Sequence, residues 1–367
     1  MRLARIALPL AVVALMVFPT DIAIATFPGT NGRIAFDDWE TGQIYAVNPD
    51  GSGLVQLTHA RISAADPTWS PDGTQIVFDK GARDRTLLWM MDADGSNKRM
   101  IADDRRGAFN FSPVFTPDGT RIVYTRCTQF ALSNGDRVDT CRIYSIATDG
   151  SDRRGITTSK PPLEVFDFEP AVSPDGTQIV FARHNQNYDG ILGQIYVMGI
   201  DGSNQHALTA PELEAWYPDW SPDGHRIAFT SDCCRLGSDG YVMNANGTNV
   251  QQLTDTPFPH NDYHLTYSPD GSQIVFASDR AFEPPLCSAE SCATDMFVMD
   301  ADGTNQTSLD VGLPSPHDFS WGTAPPLPAA SAPAARALVT HGSRPQLSGL
   351  CSSAFPERLR PFLSCGD

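Results

Sequence analysis

The sequence is short of the groups that most enzymes of its size display. No G-x-S-x-G is present, which removes the serine hydrolases, and neither a P-loop nor an H-E-x-x-H occurs. No C-x-x-C and no Cys/His spacing suits a zinc site. Positive charge is scarce: 26 Lys and Arg stand against 43 Asp and Glu, a formal net charge of −17. Such a surface repels phosphate backbones, so nucleic acid is not expected as a partner, and it suits solubility outside a cell or cationic partners. Apolar runs are short as well. The longest, Ile6–Phe18, is about 13 residues and too short to span a bilayer.

That run follows Arg2 and Arg5 and precedes Ala23-Ile24-Ala25, the order of a secretory signal peptide. Cleavage is expected after Ala25, leaving a mature chain with no membrane span, secreted or held in the periplasm or cell envelope. Removing residues 1–25 takes away two Arg and one Asp and leaves −18. Eight Cys is an even count, which in an exported chain reads as disulfides. They fall in local pairs: Cys127 with Cys141, Cys287 with Cys292, Cys351 with Cys365, and the adjacent Cys233 and Cys234.

One eleven-residue word dominates the rest. Thr68–Phe78 reads TWSPDGTQIVF, and it returns at Val114–Tyr124, Ala171–Phe181, Asp219–Phe229 and Thr266–Phe276. Pro presets φ, Asp bonds its own backbone and Gly accepts positive φ, so Ser/Thr-Pro-Asp-Gly is a tight turn between two strands. A second word follows each copy, as in LWMMDADGSN (Leu88–Asn97) and IYVMGIDGSN (Ile195–Asn204), and reads as a hairpin. Most units then close on Leu-Thr or Ile-Thr. Two hairpins make a four-stranded unit, and such units repeating every 40–50 residues are propeller blades.

The second hairpin occurs six times, beginning at Ile44, whereas the SPDG-type word occurs five times. The missing strand is supplied at the far end, where Asp318-Phe319-Ser320-Trp321 matches Asp66-Pro67-Thr68-Trp69. The expected fold is all-β: a six-bladed propeller of four-stranded antiparallel blades over residues 26–322, closed between N- and C-terminal strands. An Ala/Pro-rich linker (323–337) and a tail (338–367) carrying Cys351 and Cys365 follow. The stretches between second and third strands are longest after Tyr124 and Phe276. They hold Cys127/Cys141 and Cys287/Cys292, so these pairs are expected to clip long loops.

The repeated word resembles the TolB-type propeller repeat, a WD40-like repeat with Pro-Asp in its signature, over roughly Phe27–Gly322. Similar propellers occur in prolyl peptidases and in certain polysaccharide lyases. The resemblance implies a fold more firmly than an activity.

Candidate site residues come from position within the blade. The innermost strand of each blade is approached through Asp66, Ser112, Glu169, Tyr217, His264 and Asp318, one before the usual Pro. These six are expected to ring one mouth of the central channel, where acids and a His are ligand types for a divalent cation. His260 and His317 lie nearby. Trp69, Trp220 and Trp321 read as core between blades. Phe168, Trp216, Tyr217, Phe258 and Tyr263 read as loop aromatics open to a partner. The binding residues expected are Asp66, Glu169, Trp216, Tyr217, Tyr263, His264 and Asp318, with no catalytic residue and no required cofactor. The functional expectation is a monomeric, non-catalytic scaffold binding a protein or glycan of the cell envelope. The alternative is a metal-dependent, lyase-like enzyme with its site at the channel mouth.

Overall fold

The computed structural model describes residues 29–323 except 60, 105–106, 132–136, 159–164, 188–189, 233–236 and 283–292. The expected signal peptide, the linker and tail from residue 324, and Cys233, Cys234, Cys287, Cys292, Cys351 and Cys365 lie outside the described residues. Among the described residues, twenty-four strands form six four-stranded antiparallel sheets, with one short 3₁₀ turn at Pro211–Leu213. The innermost strands are β4 (Ala64–Trp69), β8 (Ala108–Phe115), β12 (Val165–Val172), β16 (Ala215–Trp220), β20 (Asp262–Tyr267) and β24 (Pro316–Trp321). No helix among the described residues is long and apolar enough to cross a membrane.

The repeated words explain themselves in the turns. Asp72 Oδ1 accepts from the Ser70 and Thr74 hydroxyls and from the Thr74 N–H at 2.6–3.0 Å, while Ser70 Oγ accepts the Gln75 N–H. The same net recurs around Asp118, Asp175, Asp223 and Asp270. In the Asp-Gly hairpins glycine is needed for space as well as for φ. A Cβ on Gly95 would lie 2.7 Å from the Leu57 carbonyl of the preceding blade. The closing Thr is a latch: the hydroxyls of Thr58, Thr157, Thr209 and Thr254 accept the N–H of the residue opening or lying in the third strand.

Ring closure is as expected. β24 pairs with β1 (Ile34–Asp38), joining Ile34 to Trp321 and Asp38 to Pro316. Gly32 and Gly322 extend the seam, and Trp321 Nε1 donates to the Gly32 carbonyl. Trp69, Trp220 and Trp321 are 2–3% exposed and pack between neighbouring blades.

One expectation needs correction. Cys127 and Cys141 are joined by a disulfide, but they do not clip a loop. β9 (Arg121–Ala131) and β10 (Arg137–Ala147) continue past the blade as a paired ribbon, with Cys127 directly opposite Cys141. The bridge is buried beside Phe111 and Phe166. In the next blade β13 (Gln178–Asn187) and β14 (Gly190–Gly199) are lengthened in the same way. Both SPDG-type and Asp-Gly turns lie on one face, called the turn face below. The long hairpins and blade-to-blade connections lie on the other, the loop face.

Candidate binding site at the channel mouth

Each inner strand breaks its ladder at the same level. The register shifts between Ala65 and Thr68, Phe111 and Val114, Phe168 and Ala171, Trp216 and Asp219, and Tyr263 and Thr266, and also where β24 meets β1. At every break one residue is left-handed: Asp66, Ser112, Glu169, Tyr217, His264 and Asp318, with φ from 44° to 58°. Pro67, Pro113, Pro170 and Pro218 follow four of them, where a missing N–H costs no ladder bond. A non-glycine residue held this way costs on the order of 1–3 kcal/mol. Six such residues at one level therefore need compensation.

Part of it comes from the blade before. Asp66 Oδ2 accepts the Ser112 N–H and Glu169 Oε2 the Tyr217 N–H, both at 2.7 Å. The Ser112 and Tyr217 N–H groups are thus satisfied by carboxylates across the blade boundary, and the Glu169 N–H by the Thr125 hydroxyl at 3.2 Å. These bonds give both acids a structural duty, and the Asp66 carboxyl is further bonded to Asp318.

The six residues line one channel of about 190 Å³. The sequence placed them on approaches to the strands; the structure places them inside the strands. His264 Nδ1 lies 2.5 Å from Asp318 Oδ1, and the Asp318 N–H also points at Nδ1 from 3.3 Å. One nitrogen cannot donate and accept at once, and the shorter contact requires Nδ1 to carry the proton. Burial alone would raise the Asp318 pKa, but the His264 charge and hydrogen bond, with a bond from the Asp66 carboxyl, hold it far below the usual carboxylate range. Glu169 moves the opposite way: burial lifts it to about 7 against the Tyr217 N–H bond. Burial, then the charges of Glu169, Asp318 and Asp66, raise the Tyr217 phenol well above its ordinary value. The Tyr217 phenol is therefore neutral, and its ring centroid lies 3.7 Å from that of His264 at a tilt of 47°.

Asp37 was not singled out from the sequence. It lies on the second strand of the first blade, and its carboxylate comes within 4.8 Å of those of Asp66 and Asp318. The three oxygens are of the type that holds a hard divalent cation, while Asp66 and Asp318 are already hydrogen-bonded to each other.

Trp216 and Tyr263 do not join the ring. Each precedes a bulge residue on its strand and is half-buried, not displayed on a loop as expected. Trp216 packs edge-on against His184 at 3.7 Å. Burial drives His184 down to about 3, and its Nε2 has no partner among the described residues. The Tyr263 hydroxyl lies 3.2 Å from His317 Nε2; His317 Nδ1 is held by the Ser315 carbonyl at 3.0 Å, and burial pushes this ring down to about 4. Phe168 packs on Phe166 and His184. Of the expected loop aromatics only Phe258 is displayed, at 67% exposure.

A second displayed aromatic was missed. Trp39, 41% exposed, stacks on the buried His317 at 4.7 Å and is tied to Ser315 through its N–H. It stands on the loop face, in contact with the ring system that leads from His317 through Tyr263 and His264 to Tyr217. Only a lone aromatic in a tight hairpin, Trp39 in DDWETG, marks it in the sequence, since it recurs in no other blade.

A family model described as the TolB beta propeller domain matches residues 26–215. A curated relative, the uncharacterized protein Atu1656 of Agrobacterium fabrum, is 27% identical over 66% of this chain and 74% of its own. Dipeptidyl-peptidase 5 of Porphyromonas gingivalis is 25% identical over 69% of this chain, but the chain spans only 43% of that relative's length. Among solved structures, TolB from Acinetobacter baumannii superposes with a TM-score of 0.59 at 20% identity, over 81% of this chain and 67% of that one.

Proposed function

Since this chain belongs to the TolB β-propeller family, we propose that it is an exported, non-catalytic scaffold that binds a protein or glycan of the cell envelope or exterior on its loop face. The observation that carries this reading is the ring of six strained residues at one channel mouth, with Trp39 beside it. Left-handed non-glycine residues gathered at one level of a repetitive fold are the kind of backbone strain that accompanies binding sites. Uneven loops on a rigid scaffold are the usual place for binding. The non-catalytic reading is supported by the sequence, which lacks the nucleophile motif of serine peptidases.

The test is a cross-linking capture from native envelope, followed by affinity measurements with two variant sets. Replacing Trp39 and Phe258 by Ala is expected to weaken binding at least tenfold with the melting temperature retained. Replacing the turn-face residues Asn97, Asn204 and Asn305 is expected to leave it unchanged. The reverse ranking would refute the assignment.

A second reading, a metal-dependent lyase, has the Asp37, Asp66 and Asp318 carboxylates in its favour. Against it stands the acidic mouth, which repels an acidic polysaccharide. Metal analysis of the purified mature protein separates the two. A stoichiometric ion lost on Asp318→Asn, accompanied by turnover, would favour the enzyme.

A further inference from the structure

Trp39 differs from every other tryptophan in the chain. Of the six, Trp69, Trp89, Trp216, Trp220 and Trp321 are buried or half-buried, and Trp39 alone is exposed. One face of its indole lies over the His317 ring, 19° from parallel, which leaves the opposite face to solvent. The ring is held in place. The Trp39 N–H donates to the Ser315 carbonyl at 3.0 Å, and the Asp38 carboxylate accepts the Thr41 and Ser315 N–H groups on either side. Beneath it His317 is fixed by Ser315 and Tyr263. The surroundings are polar: Glu40 and Thr41 follow in the same turn, and both are exposed. Ile62, on the neighbouring loop whose Ser63 packs against Gly42, adds a little apolar surface. A protein-binding anchor is ringed by contacts that exclude water. Trp39 is flanked instead by groups that exchange hydrogen bonds.

We propose that Trp39 is a stacking platform for an uncharged pyranose sugar, with the Glu40 carboxylate accepting from its hydroxyl groups. This rests on the binding reading above and narrows its ligand from protein or glycan to glycan. The face of an aromatic ring carries negative charge density. The C–H groups on the flat side of a pyranose carry a slight positive charge, so the two attract when stacked. An indole already held on His317 loses little freedom when a ligand arrives, which favours binding through a small contact. A carboxylate has two acceptor oxygens and can serve neighbouring hydroxyls. The same carboxylate, on a chain of net charge −17, repels uronic acids and sulfated sugars, so the sugar is uncharged.

The test uses the mature protein and trisaccharide probes, so it does not depend on finding the partner. Cellotriose, tri-N-acetylchitotriose, mannotriose and trigalacturonic acid are titrated by NMR. The expected result is saturable binding of at least one of the three neutral probes, with the shift falling on the Trp39 indole signal. That signal is identified by its absence from the spectrum of Trp39→Phe. Trp39→Ala is expected to weaken the neutral probe about tenfold through loss of the stacked face. Glu40→Gln is expected to weaken it about threefold through loss of a charged acceptor. Trp39→Phe keeps a smaller ring on His317 and is expected to bind with intermediate affinity, which keeps the test alive if Trp39→Ala does not fold. No saturation by any neutral probe, saturation that ignores both Trp39 variants, or tighter binding of trigalacturonic acid overturns the proposal. A captured protein that still needs Trp39 after enzymatic removal of its glycans overturns the sugar inference and leaves the scaffold reading standing. Cleavage of a bound neutral probe does the reverse, refuting the non-catalytic reading and supporting the platform.

Discussion

The two faces of the ring solve the same problem by opposite means. On the turn face every blade repeats one solution: an aspartate satisfied by neighbouring hydroxyls and amides, and a glycine pressed against the preceding blade. On the loop face the blades diverge. Two hairpins are lengthened, one carries a disulfide, and the residue at the mouth is Asp, Ser, Glu, Tyr, His or Asp in turn. Repetition is what selection for assembly alone leaves behind. At the mouth the left-handed backbone repeats in all six blades while the side chain differs, and the proposed binding reading rests on that difference.

This contrast can be broken in graded ways. The largest effect is expected from removing β24 by ending the chain before Pro316. Both faces should then be lost together, since β1 keeps an unpaired edge; size-exclusion chromatography should show aggregation. A soluble monomer of unchanged melting temperature would contradict the closure. Next, replacing Cys127 and Cys141 together by Ser should cost about 2–4 kcal/mol in denaturant unfolding. The loss should fall on the loop face, seen as faster hydrogen exchange in β9 and β10 while the turn-face amides stay protected.

Glu169→Gln comes third. Its folded pKa is raised, from 4.5 to about 7, so the native state binds the extra proton and stability falls as pH rises between those values. The variant should therefore be more stable than the parent by on the order of 1–3 kcal/mol at pH 8, the gain vanishing by pH 4.5. Asp219, raised to about 7, acts in the same direction. His184 and His317, lowered to about 3 and 4, act oppositely, losing stability as pH falls below their ordinary value. The parent should be nearly flat between pH 4.5 and 6.5, and a steep slope there would show that these groups are not buried as described.

On the turn face, Asp175→Ala should cost about 1–2 kcal/mol, from loss of the Ser173 and Thr177 bonds, with no change in ligand affinity. Partial burial raises the Asp175 pKa, but those bonds outweigh it and lower it overall. Its stabilisation is therefore lost on acidification through that lowered value. The smallest effect is expected for Asn204→Gly, which removes an exposed side chain at φ 55° and should be neutral in both melting and binding.

The same contrast sets what was legible in the sequence. The turn face was readable because its chemistry is local: SPDG and Asp-Gly specify a turn within four residues, and counting them gave the blades and the closing strand. The ring of mouth residues was also readable, from the position before Pro67, Pro113, Pro170 and Pro218. Its conformation was not, because a bulge is decided by pairing with the neighbouring strand. Trp216 and Tyr263 were misread as displayed because the strands begin earlier than the proline pattern suggests, carrying both residues inside. Asp37 joins Asp66 and Asp318 only through ring closure, which no local pattern encodes. The disulfide partners were found by proximity. That they brace a ribbon and not a loop depends on strand pairing continuing past Tyr124.

The seam between β24 and β1 also sets an order in time. Ser315 bonds to Asp38 across 277 residues, so the first blade cannot be finished until the last described strand has arrived. At ordinary synthesis rates that interval is roughly tens of seconds. Throughout it β1 presents the open edge that the finished ring conceals. The chain thus carries its own delay: the five blades with local strands can form as they emerge, and the sixth waits. The ring is shut by the segment that leaves the synthetic machinery late, and until then the channel, with its six mouth residues, does not exist.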